Sequence, residues 1–323
     1  LLLCFLMLFL FFFILIKRRK AKNIILVVGD VKRSPRMLYH TNGILKNFKQ
    51  AELVGYIRNS NISSVLSNAH SEGIEFSTCN LHFGNCLPSF LPRSIILPLK
   101  FVLQLFSLIF VLFRQTPINI LIVQNPPSVP CLAVCALFRI FHLINNFTVD
   151  WHNYGYTLIS MSPSHILNLY MRIYKYLEFK AAFFADNHIC VSQAMKQDLI
   201  EHSFEESKIT VFYDRPSSIY YPYQGNNIIA DRVELFNNTP ELKNSKHFIW
   251  HNTALLVSSS SWTDDEDFTI LLRALKEYDR HFPDEHLPPI LCIITGQGAN
   301  QDQFMSQVAC SKLLNITIKT AWL

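Results

Sequence analysis

The apolar positions of this chain fall into short continuous runs, separated by longer stretches in which apolar residues recur every three or four positions. The first run, Asn23-Ile24-Ile25-Leu26-Val27-Val28-Gly29-Asp30, shows no polar alternation. That pattern predicts a strand buried on both faces, as in a parallel sheet. A helix is expected to open at Pro35 and run through Met37 to Phe48, because the missing N–H of proline costs nothing in a first helical turn. Further strands are expected over 51–57, 74–77, 118–123, 146–149, 188–191 and 210–213. The tandem Pro126-Pro127 stops one of them ahead of a helix through Ala136 and Phe141. Ser164 opens a long amphipathic helix to about Phe184, and Ser192 is placed to cap the next. Residues 95–113 are almost wholly apolar, broken by Pro98, Lys100 and Gln104. They read as a helix that packs on the sheet and leaves one apolar side for a membrane surface, with a buried core helix as the alternative.

Strand–helix alternation over 23–216 is the pattern of a doubly wound parallel sheet. It lapses over 217–250, which read as a linker or insertion, and then resumes. Residues 254–257 form a strand, followed by Ser258-Ser259-Ser260-Ser261-Trp262-Thr263 and the acidic run Asp264-Asp265-Glu266-Asp267. Thr263 and Glu266 have the spacing of a capping box for a helix to Tyr278. Strands over 290–295 and 316–318 follow, the former ending in Gly296-Gln297-Gly298, and the chain stops at Leu323 in mid-domain. The expected class is therefore α/β: a Rossmann-like domain over 21–216, a linker over 217–250, and a second, incomplete Rossmann-like domain over 251–323.

Residues 1–16 are wholly apolar and would span about 24 Å as a helix, slightly short of a bilayer core of about 30 Å. The basic block Lys17-Arg18-Arg19-Lys20 follows that run, the reverse of a cleaved signal peptide. By the positive-inside rule it stays cytosolic, so 1–20 read as a single-pass membrane anchor with the body of the protein in the cytosol.

Composition sharpens this picture in three respects. With 323 residues, half of them hydrophobic and 16% charged, the chain has ample material for packed cores and disorder is not expected. The net charge of +5 is concentrated in the block after residue 16, which argues against a nucleic-acid surface. Most of the eight cysteines lie in apolar runs, where a thiol acts as a small hydrophobe in a reducing compartment. Cys79 and Cys86 flank His82, but no second pair has metal-ligand spacing, so no metal is expected.

The densest chemistry is Asp150-Trp151-His152-Asn153-Tyr154-Gly155-Tyr156, placed where a buried strand empties into a loop. Ligands of open α/β sheets bind beyond the carboxyl ends of the strands, where such a loop lies. The loop Val31-Lys32-Arg33-Ser34-Pro35-Arg36-Met37 offers cations at a helix N-terminus, a ready anion site.

Taken in order, Gly29 to Met37, Gln124-Asn125-Pro126-Pro127, Asp150 to Tyr156, Tyr213-Asp214-Arg215-Pro216, Ser258 to Phe268 and Thr295-Gly296-Gln297-Gly298 resemble the chitobiosyldiphosphodolichol β-mannosyltransferases. The resemblance implies a two-domain GT-B fold and an endoplasmic-reticulum anchor with a cytosolic catalytic body. It implies inverting transfer of mannose from GDP-mannose to dolichol-diphosphate-linked chitobiose (GlcNAc2) in a β-1,4 bond, an early step of lipid-linked oligosaccharide synthesis for N-glycosylation. GDP-mannose is then a donor substrate, with no tightly bound cofactor and no metal, and other glycosyltransferases of the pathway are implied partners.

Within that resemblance the general base is His152 or Asp150, an Asp-oriented imidazole being the commoner arrangement, with Asp30 as the rival. Arg33, Ser34, Arg36, Asn153 and Arg215 are expected on the acceptor side, and Ser258, Ser259, Ser261, Trp262, Gly296 and Gly298 on the donor side. Lys32 stands where the family usually has glycine, and Gln297 and Ala299 replace an expected lysine and proline. The family's acidic donor-binding stretch would lie beyond Leu323. The competing expectation is a truncated, inactive paralogue that serves as a binding subunit of membrane glycosyltransferases; another sugar-nucleotide enzyme, such as a phosphatidylinositol mannosyltransferase, is a third.

Overall fold

The computed structural model describes residues 19–31, 34–57, 74–81, 93–159, 165–215, 224–240, 242, 252–260, 262 and 266–321. The chain divides into two units, the first ending at Ile219 and the second beginning at Tyr220. The expected anchor over 1–16 lies outside the described residues, as do Arg33, Ser261 and Thr263.

The first unit is built on strands β1 (Lys22–Asp30), β2 (Gln50–Tyr56), β3 (Glu75–Asn80), β4 (Ile118–Asn125), β5 (Ile144–Trp151), β6 (Asn187–Cys190) and β7 (Ile209–Val211). They form one sheet in the order β3-β2-β1-β4-β5-β6-β7, and every pairing is parallel. Order reverses beside β1, which makes the carboxyl ends of the central strands the natural crevice of the unit.

Helices α1 (Pro35–Phe48), α2 (Arg93–Gln115), α3 (Cys131–Ile140), α4 (His165–Ala182) and α5 (Gln193–Glu201) make the crossovers. Pro35 sits in the first turn of α1 as expected, and the helix ends at Lys49 in a left-handed cap whose N–H reaches the Leu45 carbonyl. Ser192 caps α5 by accepting the Met195 amide at 3.2 Å. Alternate residues of β1 face two cores. Ile24, Leu26 and Val28 pack with α2, α3 and α4, whereas Ile25 and Val27 pack with Met37, Leu38 and Leu45 of α1. Parallel strands covered on both faces need no polar alternation, which is why β1 reads as one apolar run.

In the second unit β8 (Ala254–Ser259), β9 (Ile290–Thr295) and β10 (Ile316–Ala321) form a parallel sheet in the order β10-β9-β8. Helices α7 (Thr269–Glu285) and α8 (Gln301–Cys310) connect them. Two expectations change here. The stretch read as linker contains helix α6 (Ile228–Asn238), capped by Asn227, whose side chain accepts the Ala230 amide at 3.1 Å. Phe236 and Leu242 bury against Leu291 and Ile293, so part of this stretch belongs to the core of the second unit. Helix α7 starts at Thr269, later than a capping box at Thr263 would place it. Glu266 accepts the Ser260 hydroxyl at 2.8 Å, and Asp267 accepts the Thr269 amide at 2.9 Å.

Candidate active site

Along β5 the odd residues Phe147, Val149 and Trp151 enter the core beneath α3 and α4. Asp150 must therefore point to the other face, toward α1, because successive strand residues alternate sides. Its carboxylate has no exposed surface. Arg36 donates from Nε to Oδ2 at 2.8 Å and to Oδ1 at 3.1 Å, and from Nη2 to Oδ1 at 2.9 Å. His40 Nε2 lies 2.8 Å from Oδ2 and His152 Nε2 lies 3.1 Å from the same atom. Arg36 and His40 are four apart on α1 and so share the face turned to the strand.

The remaining Arg36 donor, Nη1, reaches the Phe212 carbonyl and Asp214 Oδ1, the latter at 3.0 Å, while the guanidinium lies 4.8 Å from the Phe212 ring centroid. The segment after β7 thereby packs against the Arg36 side of the cluster, with the Phe212 ring 5.6 Å from that of His40.

Burial by itself would raise the Asp150 pKa, but hydrogen bonds from His152, His40 and Arg36 outweigh it and hold the carboxyl well below the usual range. Burial would lower the Arg36 value, and Asp150 and then Asp214 more than reverse that. Both groups stay charged at neutral pH. An ionised carboxylate filled by this many donors is a poor proton acceptor, which moves Asp150 from base to orienting group. Each imidazole directs Nε2 at an ionised acceptor, so in the neutral ring the proton sits on Nε2 and Nδ1 is the acceptor. The His152 side chain is 23% exposed and that of His40 11%. Of the two, His152 is the better placed to meet a substrate.

A second buried carboxylate shapes the loop that carries His152. Glu178 of α4 accepts Asn125 Nδ2 at 2.8 Å, the Ser128 hydroxyl at 2.6 Å and the Gly155 amide at 2.8 Å, all on Oε1, and the Tyr156 amide at 3.1 Å on Oε2. Asn125 also donates to the Asn153 carbonyl, and its own carbonyl accepts the His152 amide at 2.9 Å. Gly155 is required for space: a Cβ there would stand 2.4 Å from Ser128 Oγ and 2.9 Å from the Tyr174 ring. Tyr154 donates its hydroxyl to Asp198 and sets its ring edge-on to Trp151. Burial, and then Asp198, push the Tyr154 pKa far upward, so its phenol stays protonated.

The other expected residues distribute as follows. Asp30 ends β1, two strands across the sheet from β5. Ser34 is buried ahead of the first turn of α1 and makes no side-chain cap. Arg36 is 4% exposed and committed to Asp150 and Asp214, so it is not open to a pyrophosphate. Asn153 and Arg215 are exposed. Ser258 and Ser259 close β8 opposite Ile294 and Thr295 of β9, and Gly296 follows at once. Gly296 has φ +115°, and a Cβ there would lie 1.8 Å from the Ser260 carbonyl oxygen. Gly298 lies in the turn ahead of α8, where its carbonyl faces the Gln301 amide. Trp262 is buried, with its ring 4.9 Å from Phe268 and 5.6 Å from Phe304, and its Nε1 donates to the Gly296 carbonyl. It serves the core and offers no face to a nucleotide base. Among the described residues no cluster of His, Cys, Asp and Glu could hold a metal ion. Sequence reasoning missed His40, Asp214 and Glu178; only the four-residue spacing of Arg36 and His40 on one helix hinted at the first.

Two parallel α/β units, the first doubly wound with a charged site at its strand ends, are of the GT-B-like class. Solved structures agree on that fold: a sucrose-phosphate synthase from Thermosynechococcus elongatus matches with TM-score 0.57 at 11% identity, covering 94% of this chain and 71% of the other. Anabaena HepE, solved in complex with UDP, matches with TM-score 0.52 at 15% identity over 93% of this chain and 69% of that one. No protein-family model matches the chain.

The chain belongs to the chitobiosyldiphosphodolichol β-mannosyltransferase family. It is 33% identical over 315 residues to the enzyme of that name from Debaryomyces hansenii, covering 95% of this chain and 63% of the relative. With the Candida glabrata protein it shares 30% identity over 318 residues, 95% of this chain and 67% of the relative. The human protein is 29% identical over 94% of this chain and 69% of its own length. The chain thus spans about two thirds of the length of these relatives.

Proposed function

We propose that this chain carries the acceptor side and the general base of an inverting β-1,4-mannosyltransferase that moves mannose from GDP-mannose to dolichol-diphosphate-linked chitobiose. The observation that carries the reading is the Asp150–His152 pair at the carboxyl end of β5, in a chain of this family. His152 Nδ1 takes the proton of the acceptor hydroxyl while that oxygen bonds to the anomeric carbon. The bond from that carbon to the GDP oxygen breaks in the same step, and GDP leaves with the electron pair. Asp150, ionised and buried, steadies the imidazolium that forms. One displacement inverts the α-linked donor to a β-linked product. The hydroxyls of Ser258 and Ser259 and the backbone around Gly296 and Gly298 stand at strand ends of the second unit, where a nucleotide diphosphate would bind.

The reading also assigns the protein to the endoplasmic-reticulum membrane, anchored through 1–16 with its body on the cytosolic face, beside other glycosyltransferases of the pathway. Two measurements test it. Mannose transfer to lipid-linked chitobiose is assayed with this chain alone and with the chain fused to the remaining C-terminal segment of a relative. The expected product is β-linked, made from GDP-mannose and not from UDP-sugars; no transfer in either form, or a product of retained configuration, overturns it. For topology, Asn61, Asn146, Asn237 and Asn315 head glycosylation triplets and should carry no glycan; an endoglycosidase-sensitive mass shift would reverse the orientation.

A further inference from the structure

Near the amino ends of β1, β2 and β3 lies a second group of polar side chains. Lys22 shares the sheet face of Ile24, Glu52 that of Val54, and Ser77 that of Cys79, because strand residues two apart point the same way. That face is covered by α2: Ile24, Val54, Leu108 and Leu112 belong to one core, and Cys79 packs against it. Asp150 points to the opposite face, toward α1. On α2, Ser107, Val111 and Arg114 are four and three residues apart and so run along one side of the helix. Strands and helix enclose a cavity of about 570 Å³, lined by these residues and by Phe110 and Gln115. Small-molecule sites occupy about 300–1,000 Å³.

Three of the lining groups satisfy one another. Lys22 donates its ammonium to Glu52 at 3.0 Å and to Gln115, whose amide donates to the other Glu52 oxygen. Together they are neutral. Burial, and then Glu52, push the Cys79 thiol up, so it too is a neutral wall. Two groups stand outside this network. Ser107 is 3% exposed, and its hydroxyl has no hydrogen-bond partner among the described residues. A buried hydroxyl without a partner is a net cost to the fold, which points to a partner from outside it. Arg114 sets its guanidinium 5.8 Å from the Phe110 ring and has no carboxylate within ion-pair distance among the described residues.

The cavity thus presents one uncompensated cation, the hydroxyls of Ser77 and Ser107, and an aromatic ring beside the cation. A guanidinium takes one carboxylate in a two-bond fork. The Glu52 carboxylate in the same wall opposes a second negative charge, which selects against a phosphate ester. Hydroxyls on the ligand answer those of the two serines. We infer that this cavity binds a small hydroxylated monocarboxylate of the sugar-acid class. The inference is independent of mannosyl transfer, because its test measures binding and no turnover.

Calorimetry on the full chain in detergent micelles uses glucuronate, with glucose as the neutral analogue and glucose 6-phosphate as the more highly charged one. Glucuronate should bind at least tenfold more tightly than either. Arg114→Gln, at an exposed side chain, should weaken it at least tenfold, and Arg172→Gln, at an exposed cation of α4, should leave it unchanged. Ser107→Ala separates a ligand contact from a structural one. It removes a hydroxyl that bonds to nothing in the fold, so the urea midpoint should hold or rise while glucuronate binding falls about fivefold. Saturating glucuronate should raise the urea midpoint of the wild-type chain and not that of Arg114→Gln. Absence of glucuronate binding, full binding in Arg114→Gln, or glucose 6-phosphate bound as tightly as glucuronate overturns the inference. So does a lowered urea midpoint in Ser107→Ala with binding intact, which would make that hydroxyl structural.

Discussion

Asp150 and Glu178 are both carboxylates with no exposed surface, and they hold the two ends of one loop at the carboxyl edge of β5. Their partners divide them. Asp150 is met by a guanidinium and two imidazoles, groups that carry or exchange charge. Glu178 is met by an amide side chain, a hydroxyl and two backbone N–H groups, none of which titrates near neutral pH. Equal burial thus supports two roles: a carboxylate among titratable partners can tune a proton transfer, whereas one among neutral donors fixes a shape.

The sharpest way to break this contrast is to exchange each carboxylate for its amide. Both Asp150 oxygens accept charged or ring N–H groups, so in Asp150→Asn the new NH2 faces a donor whichever way it turns, and Arg36 loses its buried counter-charge. We expect a loss of about 3–5 kcal/mol in urea unfolding together with near-complete loss of transfer. In Glu178→Gln the oxygen can stay on the three donors at Oε1, and only the Tyr156 amide is left facing an NH2. That variant should lose about 1–2 kcal/mol and keep measurable activity. Equal losses in the two amides would erase the distinction.

The imidazoles come next. His152→Ala should lower kcat by about 10²–10⁴ with little change in donor affinity or unfolding. His40→Ala, at the more enclosed ring, should act mainly on stability, by about 1–3 kcal/mol, because it leaves an oxygen of Asp150 under-satisfied. Reversal of the two outcomes would move the base to His40. Gly155→Ala tests the Glu178 end by geometry alone. Its Cβ has no room beside Ser128, so a loss of about 1–3 kcal/mol is expected with the pH dependence of transfer unchanged.

Acid titration separates the charged site from a buried neutral one. Burial, and then Lys208, lower His188 to about 4, and its Nδ1 accepts the Trp151 indole N–H. Its pKa is lower folded than unfolded, so the unfolded chain binds the proton first. That contribution to stability is complete above about 6.5, declines as pH falls to about 4, and is constant below. Asp150 is also lowered on folding, so its contribution is complete above about 3.9 and is lost only as pH falls further, through its folded value. Unfolding measured against pH should therefore weaken in two stages, and His188→Gln should abolish the first.

Much of this architecture is legible in local pattern. The unbroken apolar run of β1, Pro35 at the start of α1, Ser192 as a cap and the polar loop after β5 each depend on residues within a few positions of one another. Helix α6 escaped because Asn, Tyr and Lys dominate its surroundings, although Asn227 is an ordinary cap. The resemblance put Trp262 on the donor side; only packing against Phe268 and Phe304 shows that its ring is enclosed.

What the sequence by itself determined was the alternation of strands and helices and the placing of Asp150 and His152 at a strand end, since periodicity and turn chemistry act over short distances. What only the tertiary structure decided was the use of each polar group. His40 and Asp150 are 110 positions apart and Arg36 and Asp214 are 178 apart, and no local pattern encodes such meetings. They arise because α1 crosses the sheet opposite β5 and the segment after β7 closes over it. There a buried charge must find an opposite charge or not be buried at all. That condition takes Arg36 away from solvent, keeps Asp150 ionised, and turns Nε2 of His152 onto its carboxylate.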